Sequence, residues 1–182
     1  MTTDTTEKPL TRLWTCDGFQ IDGWRYTDSI DGLAGNEGSI LPLEAFLSLT
    51  QEMRARHANR IGVLLQPADA LEAIVPFLSD LAVVALAFPA FGDGRSYSKA
   101  ALLRTRHSYG GTVRATGDVL IDQIPLMLRA GFDAFEVSNP TALARLEEGR
   151  LGGLPLHYQP SNDASEVGER YSWRRMSSRP AA

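Results

Sequence analysis

The sequence predicts an α/β fold. Repeated βα units build a mainly parallel sheet, as an open three-layer sheet or a partial TIM-like barrel, with a short N-terminal antiparallel β segment ahead of it. Three observations carry this. Short, wholly apolar runs such as Ile61–Leu65 and Leu81–Phe88 have the composition of strands buried on both faces. Longer amphipathic stretches alternate with them and stop at glycines. Few hairpin turns separate the runs, as expected where helical crossovers join parallel strands.

The elements follow in order. Residues 1–10 read as a disordered tail, residues 11–160 as one α/β domain, and residues 161–182 as a flexible C-terminal tail. Leu13–Thr27 places Trp14, Phe19, Ile21, Trp24 and Tyr26 around Asp17-Gly18 and Asp22-Gly23, which reads as short antiparallel strands. Asp28–Gly38 reads as a loop. Pro42–Arg60 reads as one helix, with the proline in its first turn. After strand Ile61–Leu65, Asp69 is expected to cap a helix over Ala70–Leu78, which Pro76 ends or kinks. Leu81–Phe88 is the second buried strand, and Ser98–Tyr109 the next helix, stopped at Gly110-Gly111. Thr112–Thr116 is a third strand, Asp118 caps a helix over Val119–Ala130, and Ala134–Val137 is a fourth strand. A last helix spans Thr141–Glu148, and Leu154–Tyr158 has the pattern of a fifth strand.

Composition narrows the function classes. The 182 residues suit one domain. A net charge of −4 and a pI of about 5.4 argue against a nucleic-acid binder built on a broad basic face, while leaving room for a local anion pocket. The single cysteine, Cys16, rules out an internal disulfide or a four-thiolate metal site and fits a reducing compartment. The N-terminus lacks the apolar run of a secretory signal. The longest apolar stretch, Leu81–Phe91, is interrupted by Pro89 and falls short of a membrane span. The expectation is a cytoplasmic protein without nucleic-acid or membrane partners.

In both candidate architectures ligand sites gather at the C-terminal ends of the strands. The richest such place is the glycine-containing loop Gly92-Asp93-Gly94-Arg95-Ser96-Tyr97-Ser98. Ser96 or Ser98 can cap the helix that follows, whose first amides can hold an anion. Arg95 adds a planar bidentate donor. The competing reading is an ordinary βα loop in which Arg95 pairs with Asp93. The loop lacks the third glycine of a dinucleotide fingerprint, since Tyr97 stands there, and it has no Walker lysine.

Arg104 near the C-terminus of the same helix is explained by the helix dipole or by an anion clamp. Arg114, Asp118, Asp122 and Gln123 form a polar set at the next strand–helix junction, able to brace the loop. Asp118 and Asp122 share a helix face, where two carboxylates either favour the dipole, bind a divalent metal, or split acid and base roles. Glu136 sits inside a strand, either paired with an arginine or facing solvent. His57, His107 and His157 are too scattered to suggest a metal cluster, and there is no Gly-x-Ser-x-Gly, Cys-x-x-Cys or His-Glu-x-x-His motif.

The ordered string Phe88-Pro89-x-Phe91-x-Asp93-Gly94-Arg95-x-Tyr97-Ser98, Leu102-Leu103-Arg104, Arg114-Ala115-x-Gly117-Asp118-Val119-Leu120-x-Asp122-Gln123 and Arg129-x-Gly131-Phe132-Asp133-Ala134-Phe135 resembles the bacterial family called domain of unknown function 934. The resemblance spans roughly residues 60–160. Members are often labelled oxidoreductases of sulfite reduction, largely from gene neighbourhood, and the family brings no established catalytic residues. The resemblance implies an accessory protein of assimilatory sulfite reduction that binds the sulfite reductase haemoprotein or a small anionic ligand. One alternative is an oxidoreductase using a nicotinamide or flavin cofactor. Another is an enzyme acting on a phosphate or sulfate ester, with Arg95, Arg104 and Arg114 as clamps. The aromatic-rich N-terminal segment and an exposed sheet edge leave room for a homodimer.

Overall fold

Successive residues along each strand point to opposite faces, which gives one sheet two unlike sides. The computed structural model describes residues 11–29, 37–90 and 92–152. It contains β1 (Arg12–Thr15), β2 (Gly18–Gln20), β3 (Trp24–Tyr26), β4 (Gly38–Pro42), β5 (Ile61–Leu65), β6 (Val83–Phe88), β7 (Thr112–Gly117) and β8 (Ala134–Val137). Helices α1 (Leu43–Ser48), α2 (Gln51–Arg56), α3 (Arg95–Thr105), α4 (Ile124–Ala130) and α5 (Pro140–Glu147) lie between or after them. The strands form a single sheet in the order β2-β1-β8-β7-β6-β5-β4-β3. From β3 to β8 every pairing is parallel and sequential, and only β1 pairs antiparallel, with β2 and with β8.

This sheet is curled into a half-barrel, the second of the two architectures the sequence left open. Laid flat, β3 and β8 would be five strand spacings apart, about 24 Å. Yet the Tyr26 hydroxyl on β3 donates to Glu136 on β8. The edge strands β2 and β3 are joined by residues 21–23 alone, which reach at most about 14 Å. Both facts require the sheet to bend until its edges approach.

The convex face carries the main core. Leu41, Val63, Leu65, Val84, Leu86, Phe88, Val113, Ala115, Phe135 and Val137 are buried there with Phe46, Leu103, Ile124 and Met127 from the helices. The concave face has smaller residues, with Ile40, Val83 and Ala85 in a second buried cluster. Gly62 belongs to this face, and a Cβ there would lie 3.0 Å from the Val83 carbonyl oxygen and 3.1 Å from Ile40.

Several expected elements are corrected. Asp17-Gly18 does make the β1–β2 hairpin, but Asp22-Gly23 makes none: the chain crosses to the other edge of the sheet, where β3 pairs parallel with β4. β4 fills the gap between the expected loop, which ended at Gly38, and the expected helix, which began at Pro42. The helix over 42–60 is two helices, because Leu49 is extended and the Thr50 hydroxyl accepts from Met53 N at 3.2 Å, starting α2 afresh. The helix over 70–78 is two short 3₁₀ turns. Asp69 does not cap them; its carboxylate folds back to accept from Gln66 N at 2.7 Å.

Further on, α3 begins at Arg95, not Ser98. The Ser96 hydroxyl is turned away from capping, donating to the Ala87 carbonyl at 2.7 Å, while Asp93 accepts from Arg95 N. α4 cannot start at Val119, since Pro125 is tolerated only in a first turn, and Asp118 is therefore not its cap. The last helix starts one residue early, capped by the Asn139 side chain. The strands Ile61–Leu65 and Ala134–Val137 fall as expected. The expected strand Leu154–Tyr158 and both tails lie outside the described residues.

Gly117 ends β7 with φ +100°, and an added Cβ would sit 2.4 Å from the Phe88 carbonyl oxygen. That oxygen is backbone and already accepts from Asp118 N at 2.7 Å, so it cannot yield. Gly117→Ala should therefore lower the free energy of unfolding by about 1–3 kcal/mol. Urea denaturation measures this, and an unchanged midpoint would refute it.

Candidate functional site

The curl brings polar side chains from distant strands into one cluster. Arg114, Thr116 and Glu136 alternate onto the concave face of β7 and β8, where Arg114 pairs with Ala134 in register and Thr116 lies two residues further along. Arg114 is only 2% exposed. Its Nη1 donates to Glu136 Oε1 at 3.0 Å and to Asp22 Oδ2 at 3.0 Å, and its Nη2 to Asp22 Oδ1 at 2.7 Å. Asp22 comes from the crossing segment between β2 and β3. Thr116 donates to Glu136 Oε2 at 2.6 Å, and Tyr26 to Glu136 Oε1. One carboxylate thus collects three donors, from β3 and β7.

Burial opposes the Arg114 charge, but the hydrogen bonds and charge of Asp22, with Glu136 behind them, outweigh it and raise its pKa. Arg114 Nε is buried without a hydrogen-bond partner. The Tyr26 phenol is pushed well above its usual value, by burial first and then by the Glu136 charge and hydrogen bond.

Above this cluster, at the C-terminal ends of the parallel strands, a cavity of about 730 Å³ opens on the concave side. Its walls include Tyr26, Ile40, Pro42, Leu64, Thr116 and Glu136, with Thr11, Asp28 and Ser138 at the rim. This is the end at which barrel-like sheets place their ligands. A second cavity, of about 700 Å³, lies at the other end, beside Cys16, Arg104 and Asp133. Its arginine is spent: Arg104 donates to the carbonyls of Gly131 (3.0 Å), Gly111 (2.8 Å) and Tyr109, and pairs with Asp133. That network bolts the end of α3 to the loops before β7 and β8.

The residues singled out from sequence divide into groups. Arg95 grips Asp93 through two contacts, of 2.7 and 3.0 Å, so the loop's arginine and carboxylate satisfy each other, as the competing reading had it. Each shifts the other's titration, Asp93 downward and Arg95 upward, chiefly through their hydrogen bonds. Gly94 is the N-cap of α3, and Ser98 is exposed. Tyr97 packs its ring edge-on to Phe88 at 5.2 Å. Its pKa is raised by burial and then by the nearby Asp122 charge, so Asp122 does approach this loop. Asp118 is exposed, and Gln123 is buried with its side-chain oxygen accepting from Leu120 N at 3.3 Å.

Arg114 does not brace the loop; it faces the opposite side of the sheet. Arg95, Arg104 and Arg114 are not brought together. Among the described residues no group of histidine, cysteine and carboxylate side chains could hold a metal ion. No helix among them is long and apolar enough to cross a membrane.

Asp22, Tyr26 and Thr116 were not singled out from sequence; Glu136 was, and of its two readings the one that pairs it with an arginine holds, the partner being Arg114. The available signal was the interruption of apolar strands by Arg114, Thr116 and Glu136 at alternate positions. Lys99 was also missed: it donates to the carbonyls of Gln66 and Pro67 at 2.6 and 3.1 Å, tying α3 to the end of β5, and burial lowers its pKa.

Removing Arg114 strands two carboxylates, one of them buried. Arg114→Met should cost about 3 kcal/mol or more of unfolding free energy. Adding Glu136→Gln and Asp22→Asn should recover part of the loss; no recovery in the triple variant would refute the pairing. The Tyr26 phenol holds its proton more tightly in the folded than in the unfolded chain. Stability is therefore intact below pH 10 and declines as pH rises beyond it. Tyr26→Phe should flatten that alkaline decline in thermal melts, leaving the part due to Tyr109, whose pKa burial also raises.

No curated protein matches this chain. A family profile described as "Bacterial protein of unknown function (DUF934)" matches residues 62–167, from β5 past α5. That segment is more than half of the chain and includes the strands bearing Arg114, Thr116 and Glu136, so this protein belongs to the DUF934 family.

Proposed function

We propose that this protein is an accessory binding protein of assimilatory sulfite reduction, holding a small ligand in the half-barrel mouth and engaging sulfite reductase haemoprotein. The pathway half of this reading is supported by the family resemblance alone. The binding half is supported by the preformed cavity at the C-terminal ends of β3, β4, β7 and β8. Its volume lies within the range of small-molecule sites.

One observation favours binding over catalysis. Glu136, the strongest polar group in the cavity wall, accepts from Tyr26, Arg114 and Thr116, so three of its roughly four acceptor positions frame the cavity. A general base or nucleophile needs its lone pairs facing a substrate. Three separated and internally paired arginines likewise give little support to an ester-cleaving clamp.

The test is affinity purification of the tagged full-length protein from sulfate-grown cells, with mass spectrometry of retained proteins and small molecules. Recovery of the sulfite reductase haemoprotein is expected. Normal reductase assembly and activity in a deletion strain would overturn the proposal. Arg95→Ala should leave the retained partners unchanged, since Arg95 is exposed and satisfied by Asp93. Loss of the partner in that variant would return the site to the 92–98 loop.

A further inference from the structure

The walls of the mouth say what kind of molecule they can hold. This step rests on the reading that the cavity is a ligand site, and goes on to name the ligand's chemistry. Among the described residues five hydroxyls line the cavity, from Thr11, Tyr26, Thr27, Thr116 and Ser138. Three of their protons are already committed. Tyr26 and Thr116 donate to Glu136, and Thr27 donates to the Ser29 carbonyl at 2.9 Å. What these three oxygens still offer to the cavity is lone pairs.

Charge points the same way. Asp28 and Glu136 line the cavity, and among the described residues no lysine, arginine or histidine does. Arg114 sits beneath the cavity wall, its two terminal nitrogens taken up by Asp22 and Glu136. The cluster of Arg114, Asp22 and Glu136 carries one positive and two negative charges, and Asp28 adds another negative charge at the rim. Below that rim, Ile40, Pro42 and Leu64 supply an apolar wall, and the half-exposed Tyr26 ring offers a face of negative quadrupole.

An anion would meet like charge and few free donors here. A neutral apolar ligand would strand the carboxylates in a dry site. We infer that the mouth binds a small organic cation, a primary ammonium or guanidinium on a short apolar body. Its N–H groups would meet Asp28, Thr116 and the remaining lone pair of Glu136, and its body would lie against Ile40, Pro42 and Leu64.

The test uses the full-length ¹⁵N-labelled protein titrated with phenethylamine and agmatine, and in parallel with phenylpropionate, sulfite and phosphate. The amines are expected to shift the amide resonances of Gly117 and Ser138 saturably, and added salt should weaken them. Asp28→Asn removes a rim charge that makes no contact with the buried cluster's arginine. It should weaken amine binding about two- to fivefold, the range of an exposed ion pair, without altering the spectrum elsewhere.

If phenylpropionate, sulfite or phosphate shifts the mouth resonances and the amines do not, the cationic specificity is wrong while the mouth stands as a ligand site. If the amines bind but Asp28→Asn leaves their affinity unchanged, the specificity is again overturned. If no probe moves a mouth resonance, the specificity and the ligand-site reading fall together.

Discussion

The fold depends on one buried charge cluster. Arg114 on β7 is held between Asp22, from the segment that crosses between the sheet edges, and Glu136 on β8, which also receives Tyr26 from β3. These contacts join the first strands to the last and keep a six-strand parallel run curled. The low polarity around Arg114 makes the arrangement all-or-none. A guanidinium so buried is tolerable only while both carboxylates are in place, and each carboxylate needs the charge opposite it. The cluster also forms the floor of the mouth, so the groups that close the sheet are those that shape the cavity.

The two faces of the sheet share the work unequally. The convex face carries large aliphatic and aromatic side chains, packed under five helices and two 3₁₀ turns, and accounts for most buried apolar surface. The concave face is polar where Arg114 and Glu136 meet and apolar beside them, with Gly62 leaving room for Val83 and Ile40. A closed barrel would fill its interior with layers of large side chains. Here the upper part of the interior stays open and polar, the price of leaving the barrel incomplete.

Much of this was legible in the sequence, and the gaps have physical causes. Ile61–Leu65 was read correctly because a strand buried on both faces cannot hide its apolar run, and Ala134–Val137 because three of its four residues are apolar and Gly131 stops the helix before it. β4 was not read, since Ser39-Ile40-Leu41 is too short to stand out ahead of Pro42, and its identity comes from pairing with β3 and β5. Helix starts were misplaced where a side chain chose another partner, as Ser96 and Asp69 did. The site was the hardest part. Its members are 92 and 110 residues apart in the chain, and only the curl makes Asp22 and Arg114, or Tyr26 and Glu136, neighbours. The loop at 92–98 drew attention because its polar residues are adjacent in sequence, which is the circumstance that lets them neutralise one another.

The antiparallel hairpin at the start of the described chain has a consequence for how the protein is made. Among the described strands β1 has two neighbours in the sheet, β2 and β8, and β8 is the last of them to be synthesised. A two-stranded hairpin is marginal by itself in water. During translation the ribosome therefore exposes Trp14 and Phe19 well before their docking surface exists, while β4 to β7 can already pair in sequence. Closure of the curl becomes a late event with a long loop to gather, the topology that slows folding and lengthens exposure to chaperones and to other nascent chains.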